Sequence, residues 1–414
     1  MNDRPNKGPA NPFHATIKRE TDVLIVGAGI MGLAIAYELA KRGLSDVVVV
    51  DKGYLAGGAS GRNGGGVRMQ WSSEMNIRLM RESIDICKGF AKELGVNVWL
   101  RQGGYLFLGK SEAERVRMER NVALQNENGV PTRMLAPDEA RSMVPELDVS
   151  GVVAACYNPH DGIIFPWPFL WGYADQAARR GVEIHPHTNV ERIERLGGGG
   201  FDVVTTKGTV RAKRVLNCAG AWSPEVARLV GVELPNHPHR HEILSTEPLK
   251  PFLGPMVSVL ESGLYFSQSM RGEIVTGVTV PDHPHERIAG RADPDKTFSR
   301  DDGVKMGSRL LFLTTLAREI THVMPRLAHI RVLRQWAGPY DISPDGHPLV
   351  GEVPEVPGFH LCCGFMGHGF MMAPVVGRMM GEWLAKGVTP PFARKWRLSR
   401  FAEGDIDREE MIIG

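Results

Sequence analysis

Three glycines and one acid near the amino terminus have the spacing of a dinucleotide-binding site. Gly27, Gly29 and Gly32 form the pattern G-x-G-x-x-G, and Asp51 ends the next apolar run. The glycines of this pattern permit a tight turn, let a pyrophosphate approach the backbone and let a helix pack closely on a strand. An acid at this place accepts both hydroxyls of an adenosine ribose, which favours NAD or FAD over NADP. The residues expected to contact the dinucleotide here are Gly27, Gly29, Ile30, Met31, Gly32, Asp51 and Lys52.

A second glycine-rich stretch, residues 57–66, follows directly. Six of its ten residues are glycine, so its backbone can lie against a flat ligand. A flexible linker has a similar composition, but a linker has no use for the fork-shaped donor of Arg68 just beyond it, whereas a carboxylate ligand does. The residues of this stretch predicted to contact the cofactor are Ser60, Arg62, Asn63, Gly64 and Gly65.

Two dense motifs lie late in the chain, at 335–351 and 364–381. In the second motif, residues 364–369 bring bare backbone N–H groups and the N-terminus of a helix to a ligand atom that carries negative charge. Pro374 suits the first turn of this helix, and a face of small residues predicts close packing against a neighbour. The late residues predicted to contact the cofactor are Gly338, Gly367, His368, Gly369, Phe370 and Met371.

Particular elements must position these residues. The apolar run at 23–26 predicts a buried parallel strand, and the pattern after it predicts a helix that stops at Gly43. A second strand with a small-residue turn is predicted at 214–223, and short apolar runs between Pro and Gly at 237–294 predict an antiparallel sheet of a second domain. The residues of the middle of the chain expected at the cofactor are Val190, Ala219, Gly220 and Trp222.

The composition narrows the class of protein. The 414 residues suggest two or three domains, and 43% hydrophobic with 23% charged residues is typical of a globular protein. A net charge of +2 argues against a general nucleic-acid surface, and no apolar stretch is long enough for a membrane span. Five scattered cysteines and a polar amino terminus without a secretory signal favour a cytoplasmic setting. Three His-Pro-His triplets lack the cysteine or carboxylate pattern of a metal site, so no metal is predicted.

With these motifs in place, the chain resembles FAD-dependent oxidoreductases of the D-amino-acid-oxidase type, which include glycine and sarcosine oxidases. The likeness is greatest to the beta subunits of dye-linked L-proline dehydrogenase and of heteromeric sarcosine oxidase. Its most specific part is Gly-His-Gly-Phe-Met-Met-Ala-Pro at 367–374. The other shared pieces are 26–32, 61–63 with Arg68, 132–145, 158–162, 336–338 and 343–346.

The resemblance implies a fold and a division of the chain. The expected fold class is α/β with an α+β second domain, in which a Rossmann-like FAD-binding domain is interleaved with an antiparallel-sheet substrate domain. The predicted parts are a flexible tail at 1–20, the FAD-binding domain at 21–72, 150–235 and 335–390, the substrate domain at 73–149 and 236–334, and a C-terminal tail at 391–414.

Departures from the family pattern imply that the FAD is not covalently attached. Single-chain sarcosine oxidases attach flavin through a cysteine at the position of Gly338, and the heteromeric type uses a histidine near the position of Pro166. Single-chain members also place a lysine near Met371 for the substrate carboxylate, so Arg68 has to act here without that lysine.

The reaction implied by the resemblance is hydride transfer to the flavin from a carbon next to the amine nitrogen of an amino acid, which gives an imine. Arg68 is expected to bind the substrate carboxylate, and His368 or Tyr265 to hydrogen-bond the amine. The expected partners are a small amino acid or amine, an electron acceptor (a quinone, a dye-like carrier or oxygen) and a partner subunit.

Three other classes fit parts of the sequence. An NAD-dependent dehydrogenase explains only the first glycine motif. An FAD monooxygenase carries a late Gly-Asp motif, where this chain has Ser-Pro-Asp-Gly at 343–346. The alternative that stays open is an FAD-binding subunit of a heteromeric dehydrogenase or oxidase with little activity of its own.

Overall fold

The computed structural model describes residues 16–280 and 309–411. The tail predicted at 1–20 lies outside this part up to residue 15, and the sheet predicted at 237–294 lies outside it from residue 281. Within the described ranges, no helix combines the length and the apolar character needed to cross a membrane.

The described part contains eighteen strands, most of them in two sheets. In chain order the strands are β1 Glu20–Val26, β2 Val47–Val50, β3 Gly66–Val67, β4 Tyr105–Gly109, β5 Arg133–Leu135, β6 Ala154–Asn158, β7 Gly162–Ile163, β8 Glu183–His185, β9 Val190–Arg195, β10 Phe201–Thr205, β11 Gly208–Asn217, β12 His237–Pro248, β13 Met256–Val259, β14 Leu264–Gln268, β15 Glu273–Gly277, β16 Val332–Ile342, β17 Leu349–Glu352 and β18 Phe359–Cys363.

The helices range from one turn to five. They are α1 Ile30–Lys41, α2 Glu74–Lys88, α3 Phe90–Glu93, α4 Glu112–Glu127, α5 Pro137–Met143, α6 Pro166–Ala178, α7 Ser223–Arg228, α8 Leu310–Val323, α9 Gly369–Lys386 and α10 Arg400–Glu403. Short 3-10 helices lie at Ala59–Arg62, Gly220–Trp222 and Pro325–His329.

The first sheet has the strand order β17-β18-β11-β1-β2-β8, with β10 and β9 attached to β11. Strands β18, β11, β1, β2 and β8 run parallel. Val23 and Ile25 of β1 pack on the helical side with α1, α6 and α9, whereas Leu24 and Val26 pack on the side of the β9–β11 strands. Both faces are therefore buried, which explains why β1 and β2 are continuous apolar runs.

The second sheet has the order β16-β12-β15-β14-β13-β4-β6-β5 and is antiparallel except between β13 and β4. Its β6 and β16 come from the ranges 150–235 and 335–390 that the sequence had assigned to the first unit. That assignment is wrong for these two strands, because β16 pairs with β12 from His237–Ile342 to Thr246–Val332. Pairing between segments so far apart leaves no local pattern in the sequence.

Helices α1 and α9 pack side by side in parallel. A Cβ added to Gly377 would lie 2.7 Å from the Cβ of Ala34, and one added to Gly381 would lie 2.8 Å from the Cβ of Glu38. The predicted close packing of the small-residue face is confirmed. Because both contacts step by four residues in the same direction, the N-termini of the two helices lie at the same end of the first sheet.

The start of α9 differs from its prediction. The helix begins at Gly369, so Pro374 lies in its second turn and not in its first. Proline has no N–H to donate to the carbonyl of Phe370. The helix therefore begins directly after the glycine-rich loop, several residues earlier than the position of Pro374 had predicted.

The segment after residue 390 is packed, and its prediction as a tail is wrong up to residue 411. Phe392 and Trp396 are fully buried and stack with their rings 4.5 Å apart. The guanidinium of Arg400 pairs with the carboxylate of Asp345 at 2.8 and 2.9 Å, and both side chains are buried. These anchors are single residues without periodicity, so the sequence pattern did not reveal them.

Candidate active site

A cavity of about 1200 Å³ is lined by residues from both sheets and by the N-termini of α1 and α9. It exceeds the roughly 300–1,000 Å³ that drug-sized ligands fill. Twelve glycines lie in its wall, so much of the backbone is bare toward the cavity. Such a wall suits a large ligand with polar groups along its length, because the exposed backbone can hydrogen-bond to those groups.

The turn between β1 and α1 forms one end of the cavity. Gly27 has a φ of +113°, and a Cβ added there would lie 2.4 Å from the carbonyl oxygen of Cys218. Gly29, Ile30 and Met31 line the cavity. Gly32 does not, because a Cβ added there would lie 2.0 Å from the carbonyl oxygen of Gly27. The third glycine of the motif therefore serves helix–strand packing, and it is the one residue of the predicted contact set that is not among those lining the cavity.

Asp51 lies at the end of β2 with its carboxylate held in place. One oxygen accepts from the N–H of Ala28 at 2.8 Å and the other from the N–H of Gly53 at 2.7 Å. Burial raises the pKa of Asp51, while these two hydrogen bonds oppose the rise. Each oxygen keeps a lone pair for a further donor. Beside it, Lys52 lies 4.4 Å over the ring of Trp222.

Hydrogen bonds fix the glycine-rich stretch at 57–66, both within itself and to its surroundings. The hydroxyl oxygen of Ser60 accepts from the N–H of Ile30 at 3.0 Å, and the side chain of Asn63 accepts from the N–H of Gly65 at 2.7 Å. Arg62 donates to the carbonyl of Gly57 at 3.1 Å and to that of Ala337 on β16 at 3.4 Å. Arg62 thus lines the cavity while its guanidinium joins the glycine-rich stretch to β16.

The loop at 364–369 is fixed by a buried carboxylate. Asp341 accepts from the N–H of Gly364 and from the amide of Asn236, and burial raises its pKa to about 7. Gly367 has a φ of +79°, and its α-carbon lies against the ring of Tyr340. The first N–H groups of α9, which have no intrahelical partner, belong to cavity-lining residues, Gly369 to Met371.

Arg68 follows β3 and is buried, yet it lines the cavity. Its guanidinium lies 4.1 Å from the centre of the Trp71 ring and donates to the main-chain carbonyls of Gln70 and Met411. Burial lowers its pKa, and the nearby Glu409 and Asp161 counteract this. Across residues 16–280 and 309–411, no carboxylate lies within ion-pair distance of it. Because buried charges are ordinarily paired, this guanidinium suits an anionic ligand.

His368 sits directly against Arg68. Its Nε2 lies 3.2 Å from a guanidinium nitrogen that can only donate, so this ring nitrogen is the acceptor and the imidazole is neutral. Burial, followed by the charge of Arg68, holds the pKa of His368 well below its usual value. The edge of the Trp71 ring packs on the imidazole at 4.8 Å. His368 therefore orients Arg68 and has no free Nε2 lone pair for a substrate.

Three aromatic side chains of the second sheet form the opposite wall. The Nε2 of His241 lies 2.9 Å from the hydroxyl of Tyr265, and the His241 ring stacks on Tyr340 at 4.6 Å. Burial lowers the pKa of His241 to about 3 and raises that of Tyr265 well above its usual value. Tyr265 was expected from the sequence, whereas His241 and Tyr340 were missed. Tyr340 lies in the dense motif at 335–351, which was the available signal.

Every other residue predicted at the cofactor lies in the cavity wall. Besides those described above, these are Gly64, Val190, Ala219, Gly220, Gly338 and Phe370. In the described part of the chain, no group of three or more His, Cys, Asp or Glu side chains is arranged to hold a metal ion. The His-Pro-His triplet at 283–285 lies outside that part.

The residues present fit flavin adenine dinucleotide. The first-motif turn and the N-terminus of α1 suit a pyrophosphate, and Asp51 suits the ribose hydroxyls beside it. The glycine-rich stretch and the N-terminus of α9 give a flat ring a bare backbone and a positive dipole. Since both helix N-termini lie at one end of the first sheet, a single extended ligand reaches both.

Comparison with known proteins agrees with this fit. Residues 22–383 match the family model described as DAO, FAD dependent oxidoreductase. The chain is 29% identical over 402 residues to sarcosine oxidase subunit beta of Rhodobacter capsulatus, covering 96% of this chain and 92% of that one. It is 30% identical over 398 residues to the subunit of the same name from Rhizobium meliloti, covering 95% and 91%.

Solved structures show the same fold. L-proline dehydrogenase from P. horikoshii superposes with a TM-score of 0.85 at 32% identity, covering 94% of this chain and all of that one. Glycine oxidase from Geobacillus kaustophilus superposes with a TM-score of 0.81 at 25% identity, covering 92% and 99%. The α/β fold class predicted from the sequence is confirmed. The chain belongs to the DAO family of FAD-dependent oxidoreductases.

Proposed function

We propose that this protein oxidises the carbon–nitrogen bond of a small amino acid whose carboxylate binds Arg68. The observation that carries the proposal is the buried Arg68 guanidinium, which lines the cavity without a carboxylate partner in the described residues. A guanidinium donates charge-assisted hydrogen bonds to a carboxylate and so fixes the neighbouring α-carbon. His368 and Met411 occupy the hydrogens of Nη2 and Gln70 occupies one of Nη1, so Nε and the second hydrogen of Nη1 are the donors left for the carboxylate. An amine without a carboxylate would leave the buried charge unpaired.

Bound FAD supplies the hydride acceptor for such a reaction. The chain contributes the surroundings of the ring. The N–H groups at the start of α9 would stabilise negative charge on the cofactor through a preorganised dipole. Without a cysteine at 338 or a histidine at 166 the cofactor is expected to be non-covalent. Acid precipitation should release all yellow colour into the supernatant, and colour kept in the pellet would contradict this.

The amine has to be neutral to give up hydride, and the opposite wall suits a neutral amine. Because both His241 and His368 are uncharged, Arg68 is the cation that defines this part of the cavity. Tyr265 is the better candidate to hydrogen-bond the amine, since it lines the cavity and its hydroxyl keeps a lone pair beside the contact with His241. The Nε2 of His368, in contrast, is taken by Arg68. We therefore propose that Arg68 binds the substrate carboxylate and that Tyr265 hydrogen-bonds the amine. His368 is proposed to orient Arg68.

The relatives support this substrate class. Sarcosine, proline and glycine, the substrates in their names, are all small amino acids. The names include both oxidases and a dehydrogenase, and the motif at 367–374 favours the dehydrogenase. We therefore expect reduced protein to pass electrons to a quinone or dye faster than to oxygen.

A second candidate is an FAD-binding subunit of a heteromeric enzyme with little activity alone. It is favoured by relatives that are named as beta subunits and match over nine-tenths of their length. One experiment separates the two: anaerobic mixing of the purified chain with proline, sarcosine, hydroxyproline, glycine and opines. Bleaching of the flavin by any of them supports an enzyme that acts alone. Bound FAD that no amino acid reduces supports the subunit.

A further inference from the structure

The segment at 405–411 returns to the interior, and Glu409 holds it there. Although it is a carboxylate, Glu409 is only 5% exposed. It accepts from the N–H of Ser72 at 2.9 Å, the hydroxyl of Ser73 at 2.8 Å and the amide of Asn76 at 2.9 Å, and also from the hydroxyl of Ser72. A surface acid near the end of a chain does not ordinarily become buried and accept from four donors, of which the amide of Asn76 is itself buried.

These donors lie at the N-terminus of α2, directly after Arg68 in the sequence. A carboxylate is favoured there because the first N–H groups and the helix dipole are positive. Burial raises the pKa of Glu409, but the hydrogen bonds from Ser72 and its neighbours outweigh burial and leave the pKa lowered. The group is therefore ionised at neutral pH, with each oxygen occupied.

Two residues further on, Met411 delivers its main-chain carbonyl to Arg68. Glu409 also accepts from the N–H of Met411 at 3.0 Å, which fixes the orientation of that peptide. The carbonyl of Met411 accepts from one guanidinium nitrogen of Arg68 and the carbonyl of Gln70 from the other. Arg68 lines the cavity whereas Met411 does not, so the Met411 carbonyl contacts the guanidinium from the side away from the cavity.

Gln70, the other residue that holds Arg68, is itself fixed. Its amide donates to the carboxylate of Asp161 at 3.0 Å and to the carbonyl of Tyr105 at 3.0 Å. The Gln70 carbonyl thus lies two residues from Arg68 in the sequence, whereas the Met411 carbonyl comes from the far end of the described chain.

We propose that Glu409 is a positioning residue for substrate recognition, which acts by placing the Met411 carbonyl on Arg68. The proposal rests on the proposed function of Arg68 as the carboxylate-binding residue. When Met411 is not held, one buried N–H of Arg68 loses its acceptor and the guanidinium turns away from the geometry that receives a carboxylate. Binding of the carboxylate then weakens, while contacts to the rest of the ligand are kept.

The test is an equilibrium titration of the FAD-containing full chain, followed by the flavin difference spectrum. The probes are pyrrole-2-carboxylate and pyrrole, which lacks the carboxylate. Glu409→Gln should weaken pyrrole-2-carboxylate by about tenfold, the scale on which supporting hydrogen-bond partners act on the residues they orient, and leave pyrrole unchanged. Equal weakening of both probes, or of neither, would overturn the proposal.

Glu410 offers a matched control one residue away. Its side chain is exposed and pairs with Arg120 on the surface, so Glu410→Gln should bind both probes as the wild type does. If Glu409→Gln does not fold, Ser73→Ala removes one of the four donors and should weaken only pyrrole-2-carboxylate, by about threefold. No selective loss in that variant would equally overturn the proposal.

Arg68→Ala separates this inference from the function on which it rests. If Arg68→Ala keeps the preference for the carboxylate probe, or the wild type has no such preference, then the proposed function fails. If Arg68→Ala loses the preference but Glu409→Gln retains it, the function stands and the positioning role of Glu409 is wrong.

Discussion

The two ends of the cavity are built in different ways. The end formed by the β1–α1 turn uses backbone: glycines that leave no room for a side chain, free N–H groups and one carboxylate at the end of β2. The end around Arg68 uses side chains and carbonyls from 68–71, β12, β14, β16, α9 and the segment at 405–411. The first is one local motif, whereas the second is gathered from the whole length of the chain.

The difference fits the roles that we propose for the two ends, cofactor binding at the first and substrate recognition at the second. A pyrophosphate and a ribose offer the same groups in every protein that binds FAD, so a short backbone motif suffices. A substrate is recognised by charge and shape, which require side chains held in fixed orientation by further residues. Substitutions at the first end should therefore act on folding and cofactor content, and those at the second end on selectivity.

The largest effect is expected from Gly27→Ala. Its Cβ would meet the Cys218 carbonyl at 2.4 Å in a left-handed conformation, which should cost roughly 2–6 kcal/mol of unfolding free energy from overpacking and strain together. Urea denaturation and the flavin content measure it. Gly197→Ala is the control, because nothing lies within 4 Å of its Cβ position. A Gly27→Ala protein with normal FAD content and stability would contradict the claim that the β1–α1 turn has no room for a side chain.

Next in size is Arg68→Ala. Loss of a buried, charged hydrogen-bond pair should cost about 2–5 kcal/mol in kcat/KM for an amino acid, with a much smaller loss for the matching amine without a carboxylate. Arg68→Lys should be intermediate, since it keeps the charge and loses the planar fork. Arg62→Ala is the control, because the Arg62 guanidinium is bonded to the carbonyls of Gly57 and Ala337. This variant should change kcat/KM for the amino acid and for the matching amine by the same factor. Equal slowing of both substrates by Arg68→Ala would show that it does not read the carboxylate.

A smaller effect is expected from Asp51→Ala. Removing the acceptor of the ribose hydroxyls should weaken FAD binding by about 1–3 kcal/mol, with the catalytic preference among substrates unchanged. Apoprotein titrated with FAD gives the dissociation constant. Asp46→Ala, on the surface beside Lys18, should bind FAD as the wild type does. Unaltered affinity in Asp51→Ala would remove the residue from the cofactor site.

The last effect concerns pH and the loop at 364–369, which Asp341 holds. The pKa of Asp341 is raised to about 7 in the folded protein, above the value of about 3.9 for an unfolded chain. Its contribution to stability is therefore complete below pH 4 and is lost as pH rises through 7. Asp341→Asn should show a smaller fall in unfolding free energy between pH 5 and 8. An unchanged slope would mean that Asp341 is ionised throughout this range.

The sequence alone predicted the parts of the site whose chemistry is local. The β1–α1 turn, Asp51, the stretch at 57–66 and the loop before α9 all carry their geometry in glycines and neighbouring residues. The family and the α/β fold could be predicted for the same reason. The start of α9 was wrong because a proline is tolerated inside a helix whose surroundings hold it.

Only the tertiary structure decided what surrounds Arg68. His241 and Tyr340 reach the cavity because β12 and β16 pair across almost a hundred residues, and no local pattern encodes such pairing. The segment at 405–411 looked like a tail, since one buried carboxylate and one main-chain carbonyl contact leave no periodic signal. A sequence records which groups are available, but burial and long-range hydrogen bonds decide which of them hold the charge that binds a substrate.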